Sequence, residues 1–433
     1  MLYQHQTDDI FSDAIGGNGL SRRAYEREIE QALPALRAVK RRHHDGSLPL
    51  LRLPAARDDL VALKPHADRL RGFAHVVILG TGGSSLGGQT LAALTDIGFG
   101  SPPGTPKLWF MDNVDPATFA ELLSRLDLAR TAFVPISKSG GTAETLSQLL
   151  VVLDALEARL GKAKVADHLL AITEPKDNAL RRIARRVGCP ILDHDPGVGG
   201  RFSVLSLVGL LPAMAAGLDA VAIREGAASV LDPALAANDA ESSAPAVGAA
   251  LSVALWRERG IATTVLMPYV DRLAYFGLWY RQLWAESLGK RGRGTTPIRA
   301  MGTVDQHSQL QLYLDGPADK LFTLIIRETK GEGTAIRRES LDGDKSLDYL
   351  AGHSLGDLLL AEANATAATL AKNGRPTRVM RIDRLDERVM GALLMHFMLE
   401  TIIAADLLRV DAFDQPAVEE GKVLTRQYLA GKA

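Results

Sequence analysis

The sequence predicts an α/β protein: two doubly wound α/β/α lobes with mainly parallel sheets, a helical N-terminal flank and a C-terminal helical segment. Three observations carry this. Short apolar runs alternate with helical lengths from about residue 75 onward, the signature of a parallel sheet with crossover helices. The rhythm pauses and then restarts after about residue 246. Two Gly/Ser-rich segments directly follow apolar runs, where open α/β sheets bind ligands.

Residues 1–70 read as charged and helical, a flank expected to wrap the first sheet. The first lobe, 71–205, holds the strand candidates 75–79, 107–111, 131–136, 168–173 and 190–192. The longest uncharged stretch, 202–218, contains Ser203, Ser206, Gly209, Pro212 and Gly217 and falls slightly short of a bilayer span, so a buried core helix is expected. Residues 232–246, rich in Ala, Asp, Ser and Pro, read as a surface connection. The second lobe, 206–405, holds the candidates 263–267, 321–326 and 378–382, and 406–433 forms the C-terminal segment. Two or three domains suit a chain of 433 residues.

Composition narrows the function classes. Fifty Lys and Arg balance 51 Asp and Glu, which leaves no basic field for nucleic acid. A lone Cys189 gives neither a disulfide framework nor a thiolate metal cluster and fits a reducing compartment. The N-terminus carries Asp8, Asp9 and Asp13 without a basic-then-apolar signal, so a cytoplasmic protein away from membranes is expected. No metal site is expected: His43 and His44 are adjacent rather than helix-spaced, and Asp193-His194-Asp195 lacks a further ligand.

The most informative segment is Ser137-Lys138-Ser139-Gly140-Gly141-Thr142-Ala143-Glu144-Thr145. An apolar run precedes it, and Leu146, Leu149, Leu150 and Leu153 follow at the spacing of a helix with one buried face. Hydroxyls, a cation and glycines at a helix mouth suit a phosphate. The plainer alternative is a hydroxyl cap completed by Glu144.

The loop 80–88 is neither of two familiar motifs. Asp112 lies too far along for a dinucleotide fingerprint, and Gln89 stands where a Walker loop needs Lys. It remains a second Gly/Ser loop able to clamp a phosphorylated small molecule across the crevice, or a tight turn needing positive φ.

Four further segments bear on chemistry. In the helical run 276–290, Phe276, Trp279, Tyr280, Leu283 and Ser287 share one face, while Gln282 and Glu286 lie i, i+4 on an adjacent one. Glu286 beside an aromatic wall is a base candidate; on spacing alone it is a solvated acid paired with Lys290. Arg201, after Gly199-Gly200, is either helix-start punctuation or a guanidinium for a developing oxyanion. His307 sits in a polar loop, incidental or a proton carrier. Gln415 and Lys422 belong to a surface tail or reach back into a site.

Taken in order over roughly residues 75–425, these segments resemble the glucose-6-phosphate isomerase family of the sugar-isomerase (SIS) fold. The carriers are the Gly-x-Gly-Gly-Ser-x-Leu-Gly loop, the Ser137–Thr145 loop, Gly199-Gly200-Arg201-Phe202-Ser203, Gln282-x-x-x-Glu286-Ser287-x-Gly289-Lys290 and Asp414–Lys422. The resemblance implies reversible isomerisation of D-glucose 6-phosphate and D-fructose 6-phosphate through a cis-enediol. Ser137, Lys138, Ser139, Gly140, Gly141 and Thr142 would hold the phosphate, with Gly83 and Ser84 lining the sugar side. Glu286 would move the proton between C1 and C2, and Arg201 would stabilise the enediolate. His307 and Lys422 would serve ring opening and hydroxyl protons, and Gln282 and Gln415 would position the substrate. It further implies a homodimer with shared sites, His307 coming from the neighbouring subunit, and neither a metal nor an organic cofactor.

Departures from the family pattern are Gly140-Gly141 in place of Phe-Thr, which implies a more mobile loop, and Asp305 where Gly is usual, which places a charge near His307. The chain is also shorter than the longer eukaryotic members. The rival readings are a non-catalytic sugar-phosphate sensor on the same fold and a nicotinamide-dependent oxidoreductase using residues 80–88.

Overall fold

The computed structural model describes residues 2–432. Its strands are β1 (Gln4–Gln6), β2 (His75–Leu79), β3 (Lys107–Met111), β4 (Thr131–Pro135), β5 (Ala171–Thr173), β6 (Ile191–Asp193), β7 (Thr263–Pro268), β8 (Thr296–Arg299), β9 (Lys320–Arg327) and β10 (Thr377–Ile382). In the first lobe β3, β2 and β4 form one parallel ladder. Bridges Phe133–Leu169 and Ile136–Ile172 connect it to the parallel pair β5–β6. The spatial order β3-β2-β4-β5-β6 reverses direction between β2 and β4, so the loops leaving those two strands face each other across the ligand crevice of a doubly wound sheet. The second sheet runs β1-β10-β9-β7-β8, parallel except for β1.

The expected fold class is observed, and its cause is visible in β2. Val76 and Ile78 enter one core, together with Leu63 and Leu211, while Val77 and Leu79 enter another, together with Phe119, Leu149 and Leu180. A strand covered on both faces reads as a continuous apolar run.

Several expectations are corrected. β1 and β8 escape the sequence reading because Gln4-His5-Gln6 is polar and β8 carries Pro297 and Arg299; both are edge strands, where polar residues and proline are tolerated. β5 is shorter than 168–173, since a 3-10 helix (Lys162–His168) occupies the approach. The flank is not purely helical, nor does it wrap the first sheet alone: β1 joins the second sheet, and helix Arg22–Asp45 packs on helix Ala244–Arg259. The surface connection expected at 232–246 is confined to 237–243, where Asn238, Asp239, Glu241 and Ser242 are exposed. Helices Ala220–Ala236 and Ala244–Arg259 take up the rest of that stretch, with small alanines allowing close packing, and Ala234 and Ala246 are buried. The stretch 202–218 does include a buried helix, Leu207–Ala215.

Helix Glu387–Leu407 is the hub of the second lobe, in contact with helices Arg22–Asp45, Ala220–Ala236, Ala244–Arg259 and Ala274–Leu288. It is long and apolar enough to cross a membrane, yet 94% of its apolar window is buried inside this fold, as in a core helix. Its one buried acid is Glu400. Arg378 on β10 donates to both Glu400 oxygens, at 3.0 and 2.8 Å, and to Thr323 at 2.8 Å. His396 lies 3.0 Å from Glu400 through Nε2, and the Tyr3 hydroxyl is 2.6 Å from His396 Nδ1. Burial alone would raise the Glu400 pKa, but the Arg378 charge and the His396 contact hold it well below the usual carboxylate range. Its stabilising contribution is therefore complete above pH ~4.5 and fades as pH falls through the depressed native value. Glu400→Gln leaves Arg378 buried and unpaired and is expected to cost about 3–5 kcal/mol in urea unfolding at neutral pH. A loss within experimental error would mean that water already reaches the pair.

Candidate active site

The site forms where the first-lobe crevice meets helix Ala274–Leu288. The aromatic face of that helix is buried: Phe276 and Tyr280 pack on Phe397 of the hub helix. This fixes the rotation of the helix and turns Gln282 and Glu286 toward the first lobe. Gln282 Nε2 donates to Glu286 Oε1 at 2.9 Å. Arg201 donates from Nη1 to Glu286 Oε2 at 3.1 Å and to Gln415 Oε1 at 2.8 Å. Its Nε donates to Ser287 Oγ at 2.9 Å, and its Nη2 to the carbonyls of Ala412 (2.5 Å) and Asp414 (2.9 Å). Arg201 is 4% exposed, so burial lowers its pKa, with Glu286 the main opposing charge; the side chain of Glu286 keeps 34% of its surface open. An open carboxylate beside a buried, fully engaged guanidinium can accept a proton while a cation faces the charge that develops on a neighbouring oxygen.

The pairing of Glu286 with Lys290 is therefore corrected. Lys290 turns to Asp414 at 2.9 Å and to the Ser287 carbonyl at 3.1 Å, because the C-terminal segment docks beside it. Arg201, rather than Lys290, meets the acid.

The loop after β2 packs against this cluster. Residues Gly82–Ser84 make a 3-10 turn. A Cβ on Gly83 would lie 2.2 Å from the Gly200 carbonyl, and one on Gly82, at φ +55°, would lie 2.7 Å from Gln282 Nε2. Only glycine lets the loop approach both the Arg201 turn and the Glu286 helix this closely. Ser84 is half-buried beside them. Gln89 donates to Ser85 Oγ (2.6 Å) and Asp112 (2.8 Å), using the side chain that excluded a Walker loop to pin the start of its helix.

Past β4, Thr142 precedes helix Ala143–Leu160, but its side chain caps no N–H; the Thr142 hydroxyl lies 2.8 Å from the Ser137 hydroxyl instead. The capping-box alternative thus fails, and the positive end of the helix stays available to an anion. Lys138 donates to the Pro196 carbonyl at 2.7 Å and sits 3.8 Å from Glu174; burial lowers its pKa, while Glu174 opposes the shift. Ser139 and Gly141 are exposed, with Gly141 N donating to Ser139 Oγ at 3.3 Å. Gly140 does not behave as the expected flexible position. It is buried at φ +66°, donates to Ser137 Oγ at 3.1 Å and accepts from Leu180 N at 3.0 Å.

Two expected site residues lie apart from this cluster. His307 is exposed on the short helix Val304–Ser308 rather than in a loop. The carboxylate of Asp305 turns back to Met301 N (2.6 Å), Ser308 (2.8 Å) and Gln309 (2.8 Å). Gln306 anchors that helix by accepting from Tyr269 and Thr366, each at 2.9 Å. Lys422 lies on helix Glu419–Leu429, which is exposed throughout, and donates to Glu419 at 2.6 Å. Three residues at the site went unassigned in the sequence. Ser287 receives Arg201, Glu174 lies beside Lys138, and Thr145 has a buried hydroxyl without a partner among the described residues. Ser287 and Thr145 fall within segments already singled out, whereas nothing local marks Glu174.

The phosphoglucose isomerase family model matches residues 66–315. A glucose-6-phosphate isomerase of Rubrobacter xylanophilus is 41% identical over 406 residues, covering 92% of this chain and 93% of that protein. A solved structure of a Thermus thermophilus protein, described only as hypothetical, superposes with a TM-score of 0.86 at 35% identity, covering 99% of this chain and all of that one. A glucose-6-phosphate isomerase from Chlamydia trachomatis shares the fold, with a TM-score of 0.71 at 24% identity over 91% of this chain and 74% of that one.

Proposed function

The chain belongs to the phosphoglucose isomerase family, and from that premise we propose the reaction and the part each site residue plays. The protein is an isomerase that interconverts D-glucose 6-phosphate and D-fructose 6-phosphate; a sensor or a nicotinamide enzyme finds no support among its relatives. The observation that carries the mechanism is the convergence of Glu286, Arg201, Gln282 and Gln415 beside Gly82–Gly83 and Gly200.

The substrate phosphate enters the loop Ser137–Thr142, held by its hydroxyls, Lys138 and the helix N-terminus, while Gly83 and Ser84 line the sugar. This distant anchoring supplies orientation at the reacting carbons. Glu286 removes the proton from C2 of the open-chain aldose and the C1 carbonyl becomes an enediolate oxygen facing Arg201; a proton passes from the C2 hydroxyl to the C1 oxygen, and Glu286 returns its proton to C1, leaving the carbonyl at C2. Gln282 and Gln415 hold the carboxylate, the guanidinium and the sugar hydroxyls in register. Lys422 and His307 handle the ring oxygen and hydroxyl protons, His307 being supplied by a second subunit of a homodimer. The exposure of His307 on an anchored turn supports that delivery. In this reading residues 71–205 and 206–405 act as two lobes, 1–70 as a flank and 406–433 as the segment completing the site. The enzyme works in the cytoplasm, in glycolysis and gluconeogenesis.

The test is a coupled assay on fructose 6-phosphate with and without EDTA, with turnover expected in both. Loss with EDTA and recovery with a divalent ion would require a metal-assisted route. Shared sites predict complementation. Mixing inactive Glu286→Gln and His307→Ala chains after unfolding and refolding should recover up to about a quarter of parental activity, since half the dimers are mixed and each holds one intact site. No recovery would place His307 in its own subunit's site or outside both.

A further inference from the structure

We infer that Asn178 is a positioning residue for phosphate recognition: it sets the conformation of the Ser137–Thr142 loop from the neighbouring strand–helix turn, and Gly140 is glycine to admit it. The inference rests on the reading of that loop as the phosphate cradle.

Asn178 is 8% exposed and caps helix Ala179–Val187, its Oδ1 accepting from Arg181 N at 2.9 Å. A cap needs only that oxygen. The amide nitrogen does more. Nδ2 donates to Thr173 Oγ1 at 3.1 Å and lies within 3.1 Å of the Lys176 carbonyl and 3.4 Å of the Glu174 carbonyl. Thr173 Oγ1 donates onward to the Lys138 carbonyl at 3.3 Å, and Glu174 N donates to the same carbonyl at 3.2 Å. From the next residue but one, Leu180 N donates to the Gly140 carbonyl at 3.0 Å. The backbone of the phosphate loop is thus held at Lys138 and Gly140 by one turn, and Asn178 is the side chain that organises the turn. Arg181 braces it from behind, donating to the Glu174 carbonyl at 3.0 Å and pairing with Asp193.

Packing points the same way. A Cβ on Gly140 would lie 1.9 Å from Asn178 Oδ1 and 2.1 Å from its Cγ, and φ at this glycine is +66°. The space a side chain would need at position 140 is filled by Asn178. Gly140 is therefore one half of a steric pair whose other half lies 38 residues on.

The experiment compares the parent with Asn178→Ala, Asn178→Ser and Gly140→Ala, and with the Gly140→Ala/Asn178→Ala double variant. KM and kcat are read on fructose 6-phosphate, and inorganic phosphate binding by calorimetry. Asn178→Ala is expected to raise KM and the phosphate Kd about tenfold with kcat within about threefold, the signature of a lost binding geometry. Asn178→Ser keeps a cap acceptor but not the amide donor and is expected to show the same rise. Parental KM and Kd in Asn178→Ser would reduce Asn178 to a helix cap and overturn the inference. Gly140→Ala is expected to weaken phosphate binding less in the Asn178→Ala background than in the parent, since the colliding amide is gone; additive effects would overturn the steric pairing. A parent that binds phosphate but does not isomerise would remove the catalytic reading alone, because calorimetry tests the loop without turnover.

Discussion

Glu286→Gln is expected to lose isomerisation and solvent-hydrogen exchange at C2 by about 10²–10⁴-fold, the span a positioned general base supplies. The substitution keeps the shape of the side chain and one oxygen to accept from Arg201, at the 3.1 Å contact, while its amide nitrogen replaces the oxygen that accepts from Gln282 at 2.9 Å. What it removes is the ability to take up a carbon-bound proton. Phosphate affinity should stay within about twofold, because the loop Ser137–Thr142 proposed to hold the phosphate does not include this residue, and a binding change of that size is under ~0.5 kcal/mol. The measurement is deuterium incorporation at C2 of the sugar phosphate in heavy water, followed by NMR. Exchange at the parental rate would mean that another group is the base and would sink the mechanism.

Arg201→Ala should be nearly as severe and should show a second symptom. Removing the fixed positive charge that faces a developing oxyanion is expected to cost about 10²–10³-fold in kcat. Arg201 also ties the C-terminal segment to the body through Gln415 and the carbonyls of Ala412 and Asp414, so its loss should open that segment to proteolysis. Arg201→Lys should not rescue, since one ammonium cannot span Ser287, Glu286, Gln415 and two carbonyls as a planar guanidinium does. A Lys variant with parental kcat would show that only the charge matters.

The central strands and the crevice were legible because their signals are local. A strand buried on both faces must be apolar over most of its length, as β2 is after His75 and β4 after Thr131, and a loop approaching other backbone must carry glycine, as Gly83 does. Edge strands escaped detection because solvent on one side relaxes that demand; β1 is Gln-His-Gln and still pairs with β10. Glu286 was visible as an acid at a telling spacing, but the same spacing offered Lys290, and helical geometry cannot choose between a partner on its own helix and one from another lobe. The choice fell to Arg201 because the turn at Gly199–Gly200 and the segment 412–415 deliver it to a buried position.

Composition and spacing along the chain therefore mark the α/β rhythm, the crevice between β2 and β4, a loop at Ser137–Thr142 suited to an anion and an acid beside an aromatic helix face, since each depends on neighbours a few residues apart. The partner of that acid, the brace of Asn178 on Gly140 and the exposed stations of His307 and Lys422 depend on residues tens to hundreds of positions apart meeting in space. No local period encodes such meetings. The partner of the acid follows from the packing of helix Ala274–Leu288 on its aromatic face and of the C-terminal segment across Arg201, and the brace on Gly140 from β4 and β5 lying side by side.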